Sequence, residues 1–150
     1  MEKIKVLIVD DSLTIRAMFE ELLERDPGFQ VVGTAASAEE AMRLVHRMLP
    51  DVVALDIAMP GTGGMALLDQ MRDFWHDTAF VMVSSSTTQD APICKEAFDR
   101  GAFACFDKSY LIANKAKLVC LLKEAATGRV KRAGHRGDGT TLPTPDAAGI

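Results

Sequence analysis

Five short apolar runs limit what this chain can fold into. They are "IKVLIV" (Ile4 to Val9), "FQVVGTAA", "DVVALD" ending at Asp56, "AFVMVSSS" and "AFACFDK". All are runs rather than apolar–polar alternations, so each reads as a strand buried on both faces, as in a parallel sheet. The segments between them have helical periodicity. "LTIRAMFEELLERD" places Leu13, Ala17 and Leu22, with Ile15, Met18 and Phe19, on an amphipathic helix. Ser12 reads as its N-cap, and Asp26-Pro27-Gly28 stops it. "SAEEAMRLVHRM" starts with a capping Ser37, and Glu39 and Glu40 sit in the first turn, where they suit the helix dipole. "GMALLDQMRDFW", "APICKEAFDRG" (Pro92 in the first turn, Gly101 at the end) and "LIANKAKLVCLLKEAAT" complete the set. Each connection is long enough for a right-handed crossover. The expectation is an α/β, doubly wound domain: a parallel five-stranded sheet flanked by five helices.

A chain of 150 residues, 48% hydrophobic, supports one core. Its net charge of −4 gives no sign of nucleic-acid binding. No apolar run nears the roughly 18–20 residues of a membrane span, and nothing resembles a signal peptide. Cys94, Cys105 and Cys120 have no CxxC spacing and read as three reduced, mostly buried thiols in a cytoplasmic protein. The domain is expected over residues 1–127. Residues 128–150, "GRVKRAGHRGDGTTLPTPDAAGI", hold little apolar bulk and read as a flexible Gly/Pro/basic tail. Arg129, Lys131, Arg132 and Arg136 against Asp138 and Asp146 make the tail +2 and leave −6 for the body.

Ligands of open parallel sheets sit at the carboxyl ends of the strands. There this sequence collects Asp10 and Asp11 (first strand), Asp56 (third), Ser84 to Ser86 (fourth), and Asp107 and Lys108 (fifth). Any one of these alone is an ordinary cap or turn residue. Together they put three carboxylates, a hydroxyl and an ammonium on one edge. Crowded carboxylates need a compensating charge, and oxygen ligands suit Mg²⁺. Asp10 and Asp11 then read as a metal seat, Asp56 as a nucleophile forming an aspartyl phosphate, and Lys108 and Ser84 as phosphate-oxygen ligands.

The motifs "VLIVDDS", "VVALDIAMPGTGGMALL", "VMVSSS" and "GAFACFDKS" resemble those of response-regulator receiver domains of two-component signalling, the family of the chemotaxis regulator, over about Lys3 to Ala126. The resemblance implies a flavodoxin-like fold and a phosphoryl group accepted on Asp56 from a sensor histidine kinase or phosphotransfer protein. It implies Mg²⁺ on Asp11, on Asp10 directly or through water, on Asp56 and on the Ala58 backbone carbonyl. Ser84 matches the switch hydroxyl and Lys108 the phosphate-binding lysine. Met59-Pro60 and Gly64 match the loop after the phosphorylation site.

Three positions depart from the family pattern. Ser109 stands where a cis-proline usually follows the lysine. A cis bond before a non-proline residue costs about 2.5–4 kcal/mol, so a trans bond and a differently shaped loop are expected. Cys105 occupies the switch-aromatic position, and alternation gives Phe106 the opposite face. Ala58 and Ser86, flanking the route of attacking water, are expected to tune dephosphorylation.

A haloacid-dehalogenase-like phosphohydrolase needs an acid where Ala58 stands, and a flavin module needs a non-acidic phosphate loop where "DDS" stands. A receiver working without phosphorylation, as a binding module, is the alternative. No helix-turn-helix or catalytic motif is found after Ala126. The expectation is therefore a stand-alone regulator, not an enzyme beyond its own phosphorylation and dephosphorylation. Its output would be a protein contact through the face of helix four, strand five and helix five, with Lys95, Arg100, Lys115 and Lys117. Neither nucleic acid nor membrane insertion is expected, and a phosphorylation-dependent homodimer is a further partner considered.

Overall fold

The computed structural model describes residues 3–59, 63–71, 77–84 and 95–134, with backbone alone for 128–134. The elements are β1 (Ile4–Val9), α1 (Leu13–Glu24), β2 (Phe29–Ala35), α2 (Ala38–Met48), β3 (Val52–Asp56), α3 (Gly63–Gln70) and β4 (Ala79–Ser84). They continue with α4 (helical at 95–99), β5 (Ala104–Asp107), α5 (Tyr110–Ala113) and α6 (Lys115–Gly134). The sheet is five-stranded and parallel, in the order β2-β1-β3-β4-β5.

The unbroken apolar runs have a direct structural cause. Alternate side chains of each central strand enter two separate cores. Val6, Ile8, Val52, Ala54, Val81, Val83 and Phe106 face one side, where Phe19 and Leu23 of α1 and Leu118 and Leu122 of α6 cover them. Leu7, Val9, Val53, Leu55, Phe80 and Met82 face the other, under Ala41 and Val45 of α2, Leu67 and Leu68 of α3, and Ala97 of α4. A strand covered on both faces has no position where a polar residue meets water.

The predicted caps form. The Ser12 hydroxyl accepts from the Ile15 N–H at 3.3 Å. Ser37 accepts from Glu40 N–H at 3.2 Å, and Glu40 reaches back to the Ala36 N–H at 3.0 Å, closing a capping box. Gly101 adopts φ +111° after α4, as a helix stop requires.

Three differences stand out. Six helices are present among the described residues, where five were expected. Asn114 (φ −146°, ψ 50°) leaves helical geometry and splits the last helix into a single turn and a long helix. The backbone of α6 stays helical to Gly134, past the expected boundary at residue 127. Residues 135–150, Pro60, Pro92 and Cys94 lie outside the described residues. Finally, Cys105 is disulfide-bonded, and Cys120 is free but exposed, which corrects the reading of three reduced and mostly buried thiols. Sequence spacing does not say which cysteines a fold brings together.

Leu49 ends α2 at φ 47°, the only non-glycine residue at positive φ among those described, and its side chain is 57% exposed. A leucine there costs about 1 kcal/mol in steric strain and gains little burial. Leu49→Asn is expected to stabilise the fold by about 0.5–1 kcal/mol, read as a higher urea midpoint with unchanged m-value.

Candidate functional site

The strand order reverses at β1, which lies between β2 and β3. The crevice beyond the C-terminal ends of β1 and β3 is where such sheets bind ligands, and Asp10 and Asp56 stand there. Both are buried, at 1% and 2% exposure, while Asp11 is exposed. One carboxylate oxygen from each of the three lies within 4.8 Å of the others.

Local hydrogen bonds fix each buried acid. Asp10 Oδ1 accepts the Ser12 N–H at 2.9 Å, which orients it at the start of α1. Its backbone carbonyl accepts from Arg16 Nη1 at 2.7 Å. Asp56 Oδ1 accepts the Ala58 N–H at 3.0 Å. Lys108 reaches between the two buried acids. Its Nζ is 3.3 Å from Asp10 Oδ2 and 3.4 Å from Asp56 Oδ2. Asp10 Oδ2 is buried and accepts no hydrogen bond. A buried carboxylate oxygen that has the Lys108 ammonium beside it but accepts no well-directed hydrogen bond, inside a cluster of three acids, fits a hard divalent cation that keeps part of its water shell.

The electrostatics follow from this crowding. Burial is the largest influence on Asp56 and holds its carboxyl above the ordinary value of 3.8. The Ala58 N–H lowers it, the Asp10 carboxylate raises it, and Lys108 lowers it. For Lys108, burial works against the ammonium, but Asp56 and Asp10 outweigh it and raise its pKa.

The turn after β3 is set by a close approach. The Ile57 N–H donates to the Val83 carbonyl at 3.0 Å, and the Gly64 N–H donates to the Ile57 carbonyl at 3.1 Å. A Cβ on Gly64 would stand 2.1 Å from the Asp56 carbonyl oxygen and 2.9 Å from Ile57 Cα. Glycine here lets α3 start against the backbone that carries Asp56.

Of the other predicted residues, Ser84 is buried at the end of β4, and its carbonyl accepts the Lys108 N–H at 2.8 Å. Ala58 is exposed beside Asp56, and Ser86 lies outside the described residues. The described residues contain no cis peptide, so Lys108–Ser109 is trans, and Ser109 opens the turn of α5 with φ −62° and ψ −18°. Cys105 packs with the α2/α3 core, and Phe106 lies on the other face. Phe106 stacks on Tyr110, with centroids 5.9 Å apart and planes at 11°. Sequence reasoning missed Arg16. The signal for it was a cation in the first turns of a helix, where the dipole disfavours one unless a local acceptor holds it.

Known proteins resemble this chain in sequence and fold. Residues 6–119 match the family model "Response regulator receiver domain". A protein-glutamate methylesterase/protein-glutamine glutaminase of Hydrogenovibrio crunogenus is 44% identical over 102 residues, which is 68% of this chain and 27% of that protein. One from Xanthomonas campestris is 33% identical over 157 residues, covering 97% of this chain and 44% of that protein. Among solved structures, the response regulator domain of Thermotoga maritima CheB aligns with a TM-score of 0.77 at 30% identity, over 84% of this chain and 98% of that one. The CheX-CheY-BeF3-Mg+2 complex of Borrelia burgdorferi aligns at 0.72 and 26% identity, over 82% of this chain and 89% of the matched one.

The chain thus spans less than half the length of the curated relatives it matches. Those relatives are enzymes by name, which corrects the expectation of a non-enzyme drawn from the missing catalytic motif. A fold read from sequence does not by itself settle activity.

The geometry of the site can be tested at two residues. Gly64→Ala must displace the Asp56 backbone and is expected to cost about 1–3 kcal/mol; an unfolding midpoint within about 0.5 kcal/mol of the parent would contradict the close approach. For Asp56, the folded value is raised, so the unfolded chain releases this proton first as pH rises. Stability is therefore lost from about pH 3.8 up through the raised value. Without divalent cations, Asp56→Asn is expected to melt roughly 3 °C or more above the parent at neutral pH, since about 1 kcal/mol moves Tm by about 2–4 °C at this size. The gap should close in acid, and a scanning calorimeter run at several pH values checks it.

On this fold, this buried acid cluster and the family match, the chain belongs to the response regulator receiver domain family.

Proposed function

We propose that this receiver takes a phosphoryl group on Asp56 from a phosphorylated histidine of a sensor kinase or phosphotransfer protein, in a Mg²⁺-dependent reaction. The observation that carries the reading is the cluster of Asp10, Asp11 and Asp56 within 4.8 Å, with Lys108 bridging the two buried acids. Asp56 Oδ1 is held by the Ala58 N–H, which leaves Oδ2, facing Lys108, as the attacking oxygen. That oxygen forms the new P–O bond as the P–N bond to the donor imidazole breaks, its electron pair leaving on the ring nitrogen. Lys108 neutralises charge on the phosphoryl oxygens, and the Ser84 hydroxyl donates to one of them. Asp10, Asp11, Asp56 and the Ala58 carbonyl would hold Mg²⁺, which supplies further neutralisation of phosphoryl charge. The CheX-CheY-BeF3-Mg+2 complex of Borrelia burgdorferi, a structural relative, supports this choice of ion.

Phosphorylation draws Lys108 away from Asp10. The Lys108 N–H is bonded to Ser84, and Tyr110, two residues on, stacks against Phe106. The displacement therefore reaches the β5–α5 turn. We place the output on the α4–β5–α6 face, toward an effector of the kind the relatives are named for, a protein-glutamate methylesterase/protein-glutamine glutaminase. Whether that effector is in the same polypeptide or a separate one does not alter the chemistry at Asp56. Ala58 and Ser86 set the phosphoryl lifetime.

The test is intact mass after incubation with acetyl phosphate, with and without Mg²⁺, on the parent and on Asp56→Asn. A Mg²⁺-dependent gain of one phosphoryl group in the parent alone is expected. Should neither acetyl phosphate nor a phosphorylated histidine-containing donor add mass, the reading gives way to a phosphorylation-independent binding module. Relative to the phosphorylated parent, Ala58→Asn is expected to change the decay rate of the phosphoryl group at least about threefold.

A further inference from the structure

The two buried acids stand at the ends of strands paired on both sides; Lys108 does not. β1 lies between β2 and β3, and β3 between β1 and β4. β5 is an edge strand of four residues, paired with β4 alone, and Lys108 comes just after its last residue. From β4 the lysine receives one backbone bond, its N–H donating to the Ser84 carbonyl at 2.8 Å. Yet its Nζ stands 3.3 Å from Asp10 Oδ2 and 3.4 Å from Asp56 Oδ2, at the end of a long, flexible side chain. A small rotation at the Lys108 Cα is magnified along that length, so the ammonium stays in place only if the backbone is held on both flanks.

The second flank is held by Asp107. Its Oδ1 accepts the Ser109 N–H at 2.7 Å, a bond that spans Lys108 and closes an Asx turn. The Lys108 carbonyl accepts the Leu111 N–H at 3.0 Å, and Leu111 is buried in the core. Ser109 can donate because it is not proline, which has no N–H. The cluster of acids within 4.8 Å of one another consists of Asp10, Asp11 and Asp56, so the half-buried Asp107 stands outside it.

We propose that Asp107 is a positioning residue, whose turn aims the Lys108 ammonium between Asp10 and Asp56. Two consequences follow, of opposite sign. Lys108 and a divalent cation draw on the same carboxylates, so an ammonium held beside Asp10 Oδ2 opposes the cation's charge. Without the turn the ammonium swings outward, the acids are less neutralised, and Mg²⁺ binds more tightly. The phosphoryl oxygens meanwhile lose the lysine that would neutralise them, and uptake slows. The second consequence rests on the phosphoacceptor reading of Asp56; the first does not. General loosening of the site would instead weaken Mg²⁺ binding and slow uptake together.

Asp107→Ala and Asp107→Asn of the full chain are compared, because they carry the same charge and differ in the turn: the asparagine oxygen can accept the Ser109 N–H as the aspartate does. Mg²⁺ affinity is read by titration calorimetry, and phosphoryl uptake by intact mass over time with acetyl phosphate at saturating Mg²⁺. Circular dichroism confirms that each variant is folded. Relative to Asp107→Asn, Asp107→Ala is expected to bind Mg²⁺ at least about threefold more tightly and to take up the phosphoryl group at least about fivefold more slowly. Asp107→Ser, with a weaker acceptor, falls between them and decides the matter should the alanine variant not fold. With Lys108→Ala added to each, the difference in Mg²⁺ affinity shrinks below about twofold. Equal Mg²⁺ affinity in the alanine, serine and asparagine variants would overturn the proposal. So would weaker binding without the turn, and so would a difference that persists once Lys108 is removed. A parent that takes up no phosphoryl group counts against the phosphoacceptor reading alone, and the Mg²⁺ comparison still decides the role of Asp107.

Discussion

Like charges crowded at one buried edge need an opposite charge, and much of this molecule is arranged around that need. Asp10 and Asp56 are almost fully buried and face one another across the ends of β1 and β3. Neither would hold its place in an apolar interior without compensation. Lys108 supplies part of it, at 3.3 and 3.4 Å from the two acids. The compensation is incomplete, because Asp56 stays raised and Asp10 Oδ2 accepts no hydrogen bond. That residual deficit is what a cation or a transferred group can satisfy, so the local electrostatic imbalance and the chemistry share one cause.

The rest of the fold holds this edge rigid. Central strands covered on both faces leave the side chains at their C-terminal ends little freedom. The Ser12 cap and Arg16 fix the turn after β1, and Ala58 and Gly64 fix the turn after β3. The Lys108 N–H is tied to Ser84 on the neighbouring strand. Four strand ends therefore meet at distances set by backbone hydrogen bonds.

Much of this was legible in the sequence because the governing forces are local or periodic. Apolar runs mark strands covered on both faces, and Ser12, Ser37 and Gly101 mark helix ends through the backbone groups they satisfy. The acid cluster was legible because parallel topology sends every strand end to the same edge. What stayed hidden depends on contacts distant in sequence or on one backbone angle. Asn114 breaks a helix whose periodicity runs on unbroken, and Gly64 matters through an atom eight positions away. The disulfide at Cys105 depends on tertiary placement. The activity for which the relatives are named left no motif legible in this sequence.

The stack of Phe106 on Tyr110 has a practical consequence. Tyr110 is the only tyrosine in the chain, and it lies two residues beyond the lysine that bridges the acids. Uniform incorporation of fluorotyrosine therefore places a single ¹⁹F nucleus on the segment that joins the acid cluster to α6. Ring-current shielding from Phe106 falls off steeply with distance, so a small displacement of that turn would register as a chemical shift. The chain thus carries its own single-site magnetic reporter, two residues beyond the lysine that bridges the buried acids.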